Sequence, residues 1–303
     1  MLVGMGRELV TTLRGTLDQA DERFWSGQLG LARTLYITLQ EQAQERADRP
    51  MEVIARSMLA RYHVRRRELE LAEEALAAAE RVVDASHADS YGRFRSVVAR
   101  LAVARGAFAD GGDELRSYLA WAEEHRAGVA MVDAALLLAH HCAPEDVSGW
   151  LERAIDYALA NELPRHLPEA YTLLAVQHDR AERFEDALEA YEHALRWQLT
   201  VGTPRQILAA TWAVGASAAR CGEWALARER LEEAVNGADG RDDCADYLVL
   251  ALADLAQVAN AAGDPIEARR LTTRALMLGE QQGFPTFWPD RWRSLQRIAN
   301  SLG

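Results

Sequence analysis

Apolar residues recur at helical spacing along nearly the whole chain. The clearest example is Pro168–Leu195, PEAYTLLAVQHDRAERFEDALEAYEHAL, in which two amphipathic stretches flank a short polar turn. Small residues lie at Ala175, Ala187 and Ala194, so twelve positions separate the first pair and seven the second. Seven positions correspond to two helical turns, which places Ala187 and Ala194 on one face of the second helix. The pattern predicts a hairpin of two closely crossing helices.

The same pattern recurs, and we use the first small residue of each second helix as a register marker. Successive markers are 40, 43, 32, 40, 40 and 41 residues apart. Seven positions after each marker the residue is Ala, except for Leu39 in the first repeat. A fixed period of this length predicts an array of repeats, each packed on its neighbours. The markers are Ala32, Ala72, Leu115, Val147, Ala187, Ala227 and Ala268.

Turn-forming residues follow the same period, and prolines lie mainly between repeats or at helix starts. The predicted turns within hairpins are SGQL at 26–29, RREL at 66–69, DGGD at 110–113, APED at 143–146, ERFE at 182–185, GEW at 222–224 and GDP at 263–265. No run of residues alternates with period two over a useful length, so no strand is expected. We predict seven hairpins, at residues 8–46, 50–85, 89–126, 128–161, 166–201, 204–237 and 243–282.

A further helix is predicted at residues 286–301. Its apolar face comprises Trp288, Trp292, Leu295 and Ala299. A helix with one apolar and one polar face suits the end of a repeat array, where one face covers the core and the other meets water. The polar face comprises Arg291, Arg293, Gln296, Arg297 and Asn300.

These repeats resemble the tetratricopeptide repeat (TPR), whose unit contains W-x2-L-G-x2-Y, then A, F or Y, A and P. The second, fifth, sixth and seventh hairpins match this unit, the third and fourth are degenerate, and the first lacks the last Ala. The period is nearer 40 than the family's ~34 residues. The resemblance implies an all-α fold, a right-handed superhelical solenoid of about seven TPR-like hairpins with a C-terminal capping helix. We expect residues 1–303 to form this single solenoid. The matching residues include Tyr171, Leu174, Ala175, Ala187, Tyr191 and Ala194, then Val214, Gly215, Ala227 and Ala234.

The resemblance also implies a concave groove lined by the first helix of each hairpin. Arg61, Arg65 and Arg100 fall on one stretch of it. They could receive the carboxylates of an acidic ligand, or they could pair with Asp and Glu of neighbouring repeats. The candidate groove residues are Arg14, Phe24, Trp25, Arg61, Arg65, Arg100, Phe108, Thr172, Arg180, Trp212, Arg220, Gln257 and Asn260.

Charge narrows the classes of partner. The 303-residue chain has a net charge of −12, which argues against binding to nucleic acid or to an anionic membrane surface. All 34 basic residues are Arg. This favours codon bias in a GC-rich bacterial genome; selection of Arg for anion recognition does not explain its use everywhere. No apolar run approaches the length of a membrane span, and three cysteines without C-x-x-C spacing indicate reduced thiols in the cytoplasm.

Sequence motifs for catalysis are lacking. His140, His141 and Cys142 are adjacent, but neighbours on a helix point about 100° apart, so the trio cannot face one metal ion. We find no Ser–His–Asp pattern and no phosphate-binding glycine loop, and we expect no cofactor, no metal and no enzyme activity. The chain lacks the lysines of the carboxylate clamp that chaperone-binding TPR proteins use.

The sequence therefore favours a cytoplasmic, non-enzymatic adaptor or scaffold that binds a partner's peptide or helix in the groove. Two alternatives stay open. One is a sensor module that binds a signalling peptide or small molecule, and the other is self-assembly into a homo-oligomer. The expected partner is a protein or peptide, without nucleic-acid binding or membrane insertion.

Overall fold

The computed structural model describes residues 12–106 and 108–302, and the side chains of these residues except 108–111, 144, 287, 301 and 302. All regular elements in the described residues are helices, as the sequence predicts. The chain divides into two compact units, one ending at Tyr157 and one beginning at Ala158. The single solenoid over residues 1–303 stays a prediction.

The helices form hairpins, in six of which an odd-numbered helix (an A helix) packs on the even-numbered helix that follows (a B helix). By their order in the chain, α7 and α8 are the A and B helices of the fourth hairpin. The boundary between the units falls within the last turn of α8. Up to that helix, the elements are α1 Leu13–Trp25, α2 Leu29–Glu45, α3 Arg49–Arg65, α4 Leu69–Glu80, α5 Ala88–Ala104, α6 Phe108–Glu124, α7 Gly128–His141 and α8 Val147–Ala160.

The second unit continues with three hairpins and two terminal helices. Short 3-10 turns at Pro144–Asp146, Pro164–His166 and Asp242–Cys244 precede α8, α9 and α13. The helices are α9 Leu167–Arg180, α10 Phe184–Val201, α11 Pro204–Cys221, α12 Trp224–Ala238, α13 Ala245–Ala261, α14 Pro265–Gln281, α15 Phe284–Phe287 and α16 Pro289–Leu302.

Helix ends are set by local chemistry that the sequence shows. The Asp48 and Asp264 side chains accept hydrogen bonds from the first-turn amides of α3 and α14, at 3.1 and 3.0 Å. Thr203 and Gln206 form a reciprocal capping box at the start of α11. These bonds satisfy amides that have no partner within the helix. At the other end of α11, Gly222 adopts φ 77°, a left-handed conformation that glycine tolerates without strain.

The predicted register of small residues is confirmed by burial. All seven markers and all seven residues that follow them by two turns are at most 8% exposed. Because these residues point toward the partner helix and are mostly Ala, the backbones can approach closely. Twelve positions before the marker, six of the seven A helices also place a small buried residue. These six are Ala20, Ala60, Ala135, Ala175, Gly215 and Ala256.

The predicted turn at 110–113 is wrong, because α6 already begins at Phe108 and continues through this segment. The chain turns earlier, where Gly106 adopts φ 76°. As a result, α6 has about one more turn before its marker, Leu115, than α2 has before Ala32. The buried small residue of α5 is correspondingly Ala99, sixteen positions before the marker. An extra helical turn therefore accounts for the long marker spacing in this hairpin.

The terminal helix agrees with the sequence in part. Trp292 and Leu295 of α16 are 8% and 1% exposed and pack in the core of the second unit. Trp292 lies directly over Gly279 of α14, where a Cβ atom would come within 2.4 Å of its ring. Trp288, expected on the buried face, lies just before α16 and is 38% exposed. Arg291, expected in water, instead contacts residues of the second unit's A helices.

One described segment, Asp242–Ala261, is long and apolar enough to cross a membrane, with a mean hydropathy of 1.2. Most of its apolar side chains are buried in the second unit, where α13 lies between α12 and α14. Leu250, Ala251 and Leu252 are at most 1% exposed on successive faces of the helix. Burial on several sides explains the apolar composition of this core helix.

Gly215→Ala tests the close helix crossing. A Cβ atom at this position of α11 would lie 2.8 Å from Leu231 Cγ in α12. Overpacking costs about 1–3 kcal/mol and exceeds the gain in helix propensity, about 1 kcal/mol at most. We expect urea denaturation, followed by circular dichroism, to show a net loss of roughly 1 kcal/mol. Gly149→Ala is the control, because nothing lies within 4 Å of its added Cβ atom; equal stabilisation by both changes would contradict the packing argument.

Candidate functional site

In the first unit, the A helices lie next to one another, with α3 against α5 and α5 against α7. Their polar side chains meet on this A-helix face. Arg100 of α5 donates to Asp133 Oδ1 of α7, and Ser96 Oγ donates to Asp133 Oδ2 at 2.6 Å. Both carboxylate oxygens of Asp133 are therefore engaged. Of the two interpretations of Arg100, pairing with a neighbouring repeat is what the structure shows.

The electrostatics of Asp133 reflect this pairing. Burial alone would raise the pKa of the carboxyl, but the Arg100 and Arg61 guanidinium groups and the two hydrogen bonds lower it to about 2. Asp133 is thus ionised in the folded protein at neutral pH. The pair Arg100–Asp133 joins two A helices by a charge-assisted hydrogen bond.

Arg61 differs from Arg100, because no carboxylate in the described part of the chain forms an ion pair with it. Its guanidinium instead lies 4.6 Å from the ring centre of Trp25 and 5.6 Å from that of Phe24. Arg65 also lies 5.6 Å from the Phe24 ring. Burial, together with the nearby positive charge of Arg100, lowers the pKa of Arg61 to about 10. The aromatic faces replace part of the lost hydration of the cation.

The two aromatic residues of this cluster have different environments. Phe24 is 2% exposed and belongs to the core with Tyr36, so it supports the surface from beneath rather than forming it. Trp25, the last residue of α1, is 57% exposed. Arg61 lies against both rings and is itself partly buried.

A second ionic group links α1 to α5. Asp21 accepts hydrogen bonds from Tyr36 Oη at 2.7 Å and from Arg93 Nη1 at 3.0 Å. Burial and the adjacent Asp21 carboxylate raise the pKa of Tyr36 far above its usual value, so Tyr36 stays protonated and donates. Arg14, a candidate groove residue, lies on the surface with Asp18 and Asp89, at 3.2 and 3.7 Å.

The second unit repeats this arrangement on its own A helices. Asp179 of α9 accepts from Arg220 Nη2 at 2.8 Å and from Tyr191 Oη at 3.2 Å. Burial, followed by the Asp179 charge, raises the pKa of Tyr191 to about 12. Arg220, a candidate for partner binding, is therefore already paired within the unit. Thr172 and Arg180 are exposed.

Asp254 of α13 is the most buried carboxylate of this face. It accepts from Trp212 Nε1 at 2.9 Å, from Arg291 Nη1 at 3.3 Å and from Gln257 Nε2 at 3.4 Å. Burial raises the pKa of Asp254, and the charge of Arg291 only partly offsets this effect. Arg291 also lies over the Trp212 ring, 5.6 Å from its centre. A side chain of the terminal helix thus covers this part of the A-helix face.

The sequence analysis predicted all thirteen candidates to lie on A helices, and the structure places twelve of them there. The exception is Phe108, which begins a B helix and whose side chain lies outside the described residues. Gln257 and Asn260 are exposed on α13. Six partners that organise the A-helix faces of the two units were absent from the candidate set. A lone acidic residue in an apolar helix is a usable signal for Asp133 and Asp254, since buried charges need partners. The six are Asp21, Arg93, Asp133, Asp179, Asp254 and Arg291.

Neither a protein-family model nor a curated protein matches the chain. Several solved structures are similar to it. A signal-transduction ATPase with numerous domains (STAND) and a tetratricopeptide repeat sensor, from Pyrococcus horikoshii, aligns with a TM-score of 0.68 at 16% identity. The alignment covers 96% of this chain and 44% of that protein, so the chain spans less than half of its length.

Two Rap structures are also similar. The apo form of RapI gives a TM-score of 0.68 at 12% identity, covering 95% of this chain and 85% of RapI. The fold is that of a TPR protein. A Rap protein complexed with competence and sporulation factor gives a TM-score of 0.53 at 14% identity, over 89% of this chain and 77% of that protein. At these identities the likeness shows the TPR fold, and it assigns no function to the A-helix faces.

The substitution Asp133→Asn tests the ion pair between Asp133 and Arg100 on the A-helix face of the first unit. Because the pKa of Asp133 is lowered in the folded state, its ionisation stabilises the protein above the unfolded pKa of about 3.9, and this is lost as pH falls toward 2. We expect the variant to lose about 2 kcal/mol of unfolding free energy at pH 7. The deficit, measured by urea denaturation, should shrink between pH 4 and 2.

Asp18→Asn is the matched control. Asp18 pairs with Arg14, but both side chains are more than 60% exposed, and such surface pairs contribute little. A deficit for Asp133→Asn that stays constant from pH 7 to pH 3 would rule out the ionic role.

Proposed function

We propose that the chain is a non-enzymatic adaptor that binds a segment of a partner protein, or a peptide, on the A-helix face of its first unit. The observation that supports this most directly is Trp25. It is 57% exposed although the adjacent Phe24 is 2% exposed, and it lies beside Arg61. Exposed Trp next to Arg is typical of residues that dominate the binding energy of protein interfaces.

The polar groups of both A-helix faces suit packing and binding better than catalysis. Asp21, Asp133, Asp179 and Asp254 each accept a hydrogen bond from an Arg of another helix. No described group of three His, Cys, Asp or Glu side chains could hold a metal ion. We therefore propose an adaptor without enzyme activity or cofactor.

Similar structures support a binding role. A Rap protein with this fold is complexed with competence and sporulation factor, so that protein holds a second molecule. We propose by analogy a protein or peptide partner for this chain, and a cytoplasmic location in which its three unpaired cysteines stay reduced. The net charge of −12 disfavours nucleic acid as the partner.

A sensor is the second candidate function. The STAND protein contains a TPR sensor, and this chain covers 44% of that protein, so a sensing region can be one part of a larger machine. In this alternative a peptide or small molecule would bind and change the shape of the chain, and another protein would produce the output. Small-angle scattering distinguishes the two, because a sensor changes its radius of gyration with ligand and a preformed adaptor does not.

The adaptor proposal is tested by Trp25→Ala. Immobilised wild-type chain is used to capture partners from a lysate of the organism that encodes it, and each captured protein is then purified and titrated by calorimetry. We expect Trp25→Ala to weaken binding at least tenfold, as for a central interface residue.

Trp224→Ala provides the control, because Trp224 is similarly exposed, at 48%, but begins the B helix α12. Equal weakening by both substitutions, or by neither, would contradict a binding surface on the A helices. Light scattering of the free chain in the same experiment reveals a homo-oligomer and distinguishes self-assembly from capture of another protein.

A further inference from the structure

Two arginines on the A-helix face of the first unit are in excess of the carboxylates that pair there. Arg93 pairs with Asp21 and Arg100 with Asp133, whereas Arg61 and Arg65 add two further positive charges. Asp133 is already engaged at both oxygens by Arg100 and Ser96. Among the described residues, no carboxylate pairs with Arg61 or Arg65. The excess of two positive charges contrasts with a chain whose net charge is −12.

The contacts of Arg61 leave its hydrogen-bonding edge available. Its guanidinium is held over the ring face of Trp25, at 4.6 Å, and near that of Phe24. A cation held over an aromatic ring interacts through its face, so its in-plane N–H groups remain donors. No described side chain or backbone carbonyl accepts a hydrogen bond from Arg61. The N–H groups of Arg61 therefore have no hydrogen-bond acceptor among the described residues, while its guanidinium contacts the two rings.

The environment favours an anion over water at these donors. The Arg61 guanidinium is partly removed from water and lies near the Arg100 cation, and the Asp133 charge and the aromatic rings compensate it only in part. A bound anion would complete this compensation. A planar carboxylate matches the fork of a guanidinium and accepts two parallel hydrogen bonds. Arg65, which shares the Phe24 ring with Arg61, adds a second positive charge for the same anion.

We propose that Arg61, with Arg65 beside it on the Phe24–Trp25 aromatic pair, is the receptor for a carboxylate group of the bound peptide segment. The carboxylate comes from an Asp or Glu side chain or from a free C-terminus. This inference rests on the proposed function, since it names the chemistry that the first unit's A-helix face recognises.

The test uses synthetic octapeptides, so it does not depend on the natural partner. One peptide alternates Ser and Glu, a second alternates Ser and Gln, and both are acetylated and amidated. A third is the Ser–Gln peptide with a free C-terminus, and inorganic phosphate is the fourth probe. Binding to the full chain is measured by calorimetry and by the NMR shift of the Arg61 Nε–H signal at low salt.

We expect wild-type chain to bind the Ser–Glu peptide at least tenfold tighter than the amidated Ser–Gln peptide. Arg61→Gln should abolish this preference. Arg61→Lys should retain part of it, because the charge stays but the fork is lost. Tight binding of only the free C-terminal peptide would assign the carboxylate to a chain end. Binding of phosphate with no preference between Glu and Gln would overturn the proposal.

Arg14→Gln is the matched control. Arg14 lies on the same set of helices but is 64% exposed and already paired with Asp18, so its loss should leave the preference unchanged. Equal loss with Arg14→Gln would indicate general charge attraction and contradict a specific receptor. Thermal melting reports on the stability of the fold. Arg61→Met should melt at or above the wild-type temperature, because it removes a partly buried cation that has no ion-pair partner.

The two proposals can fail separately. If Trp25→Ala weakens partner capture and Arg61→Gln does not, the binding surface stands and the carboxylate receptor is wrong. If the preference for the Ser–Glu peptide depends on Arg61 but Trp25→Ala binds captured proteins as tightly as the wild-type chain does, the anion site exists and the adaptor proposal is wrong.

Discussion

The two helices of each hairpin can cross closely because small side chains lie where their backbones approach. Ala187 and Ala194 are at most 1% exposed, and equivalent positions in the other hairpins are similarly buried. At Gly215 even a methyl group would meet Leu231 at 2.8 Å. Larger residues between the small ones, such as Tyr36 and Leu231, then fill the remaining space and are fully buried. The crossing fixes which face of each A helix remains for other contacts.

Those remaining faces are joined by ionic bonds between A helices. In each unit, a partly buried carboxylate is paired with an arginine of an adjacent A helix. The pairs are Asp133 with Arg100 in the first unit and Asp179 with Arg220 in the second. Most arginines of the faces are thereby committed to the fold. Arg61 stands out because aromatic rings, rather than a carboxylate, surround it. Arg61 has no ion-pair partner because the nearby carboxylate of Asp133 is already bound by Arg100 and Ser96.

The sequence predicted the hairpins well because helical period, turn residues and small-residue spacing all report the same local geometry. It placed most candidate residues on A helices for the same reason. It could not decide whether Arg100 or Arg61 was paired, because that depends on Asp133, which lies far along the chain and approaches only after the helices pack. It also assigned Arg291 to water, since helical periodicity shows a polar face but not the buried Asp254 that the face meets.

The extra turn at the start of α6 shows how this architecture tolerates changes in length. Four added residues rotate a helix by about 40° beyond a full turn, so the residues that follow return to nearly the same side. Leu115 and Ala122 accordingly remain buried although their hairpin is longer than its neighbours. The spacing across the crossing of α5 and α6 accordingly grows from twelve to sixteen positions, from Ala99 to Leu115, and both residues stay fully buried. A whole added turn at the start of a B helix is thus absorbed without exposing the residues of the crossing.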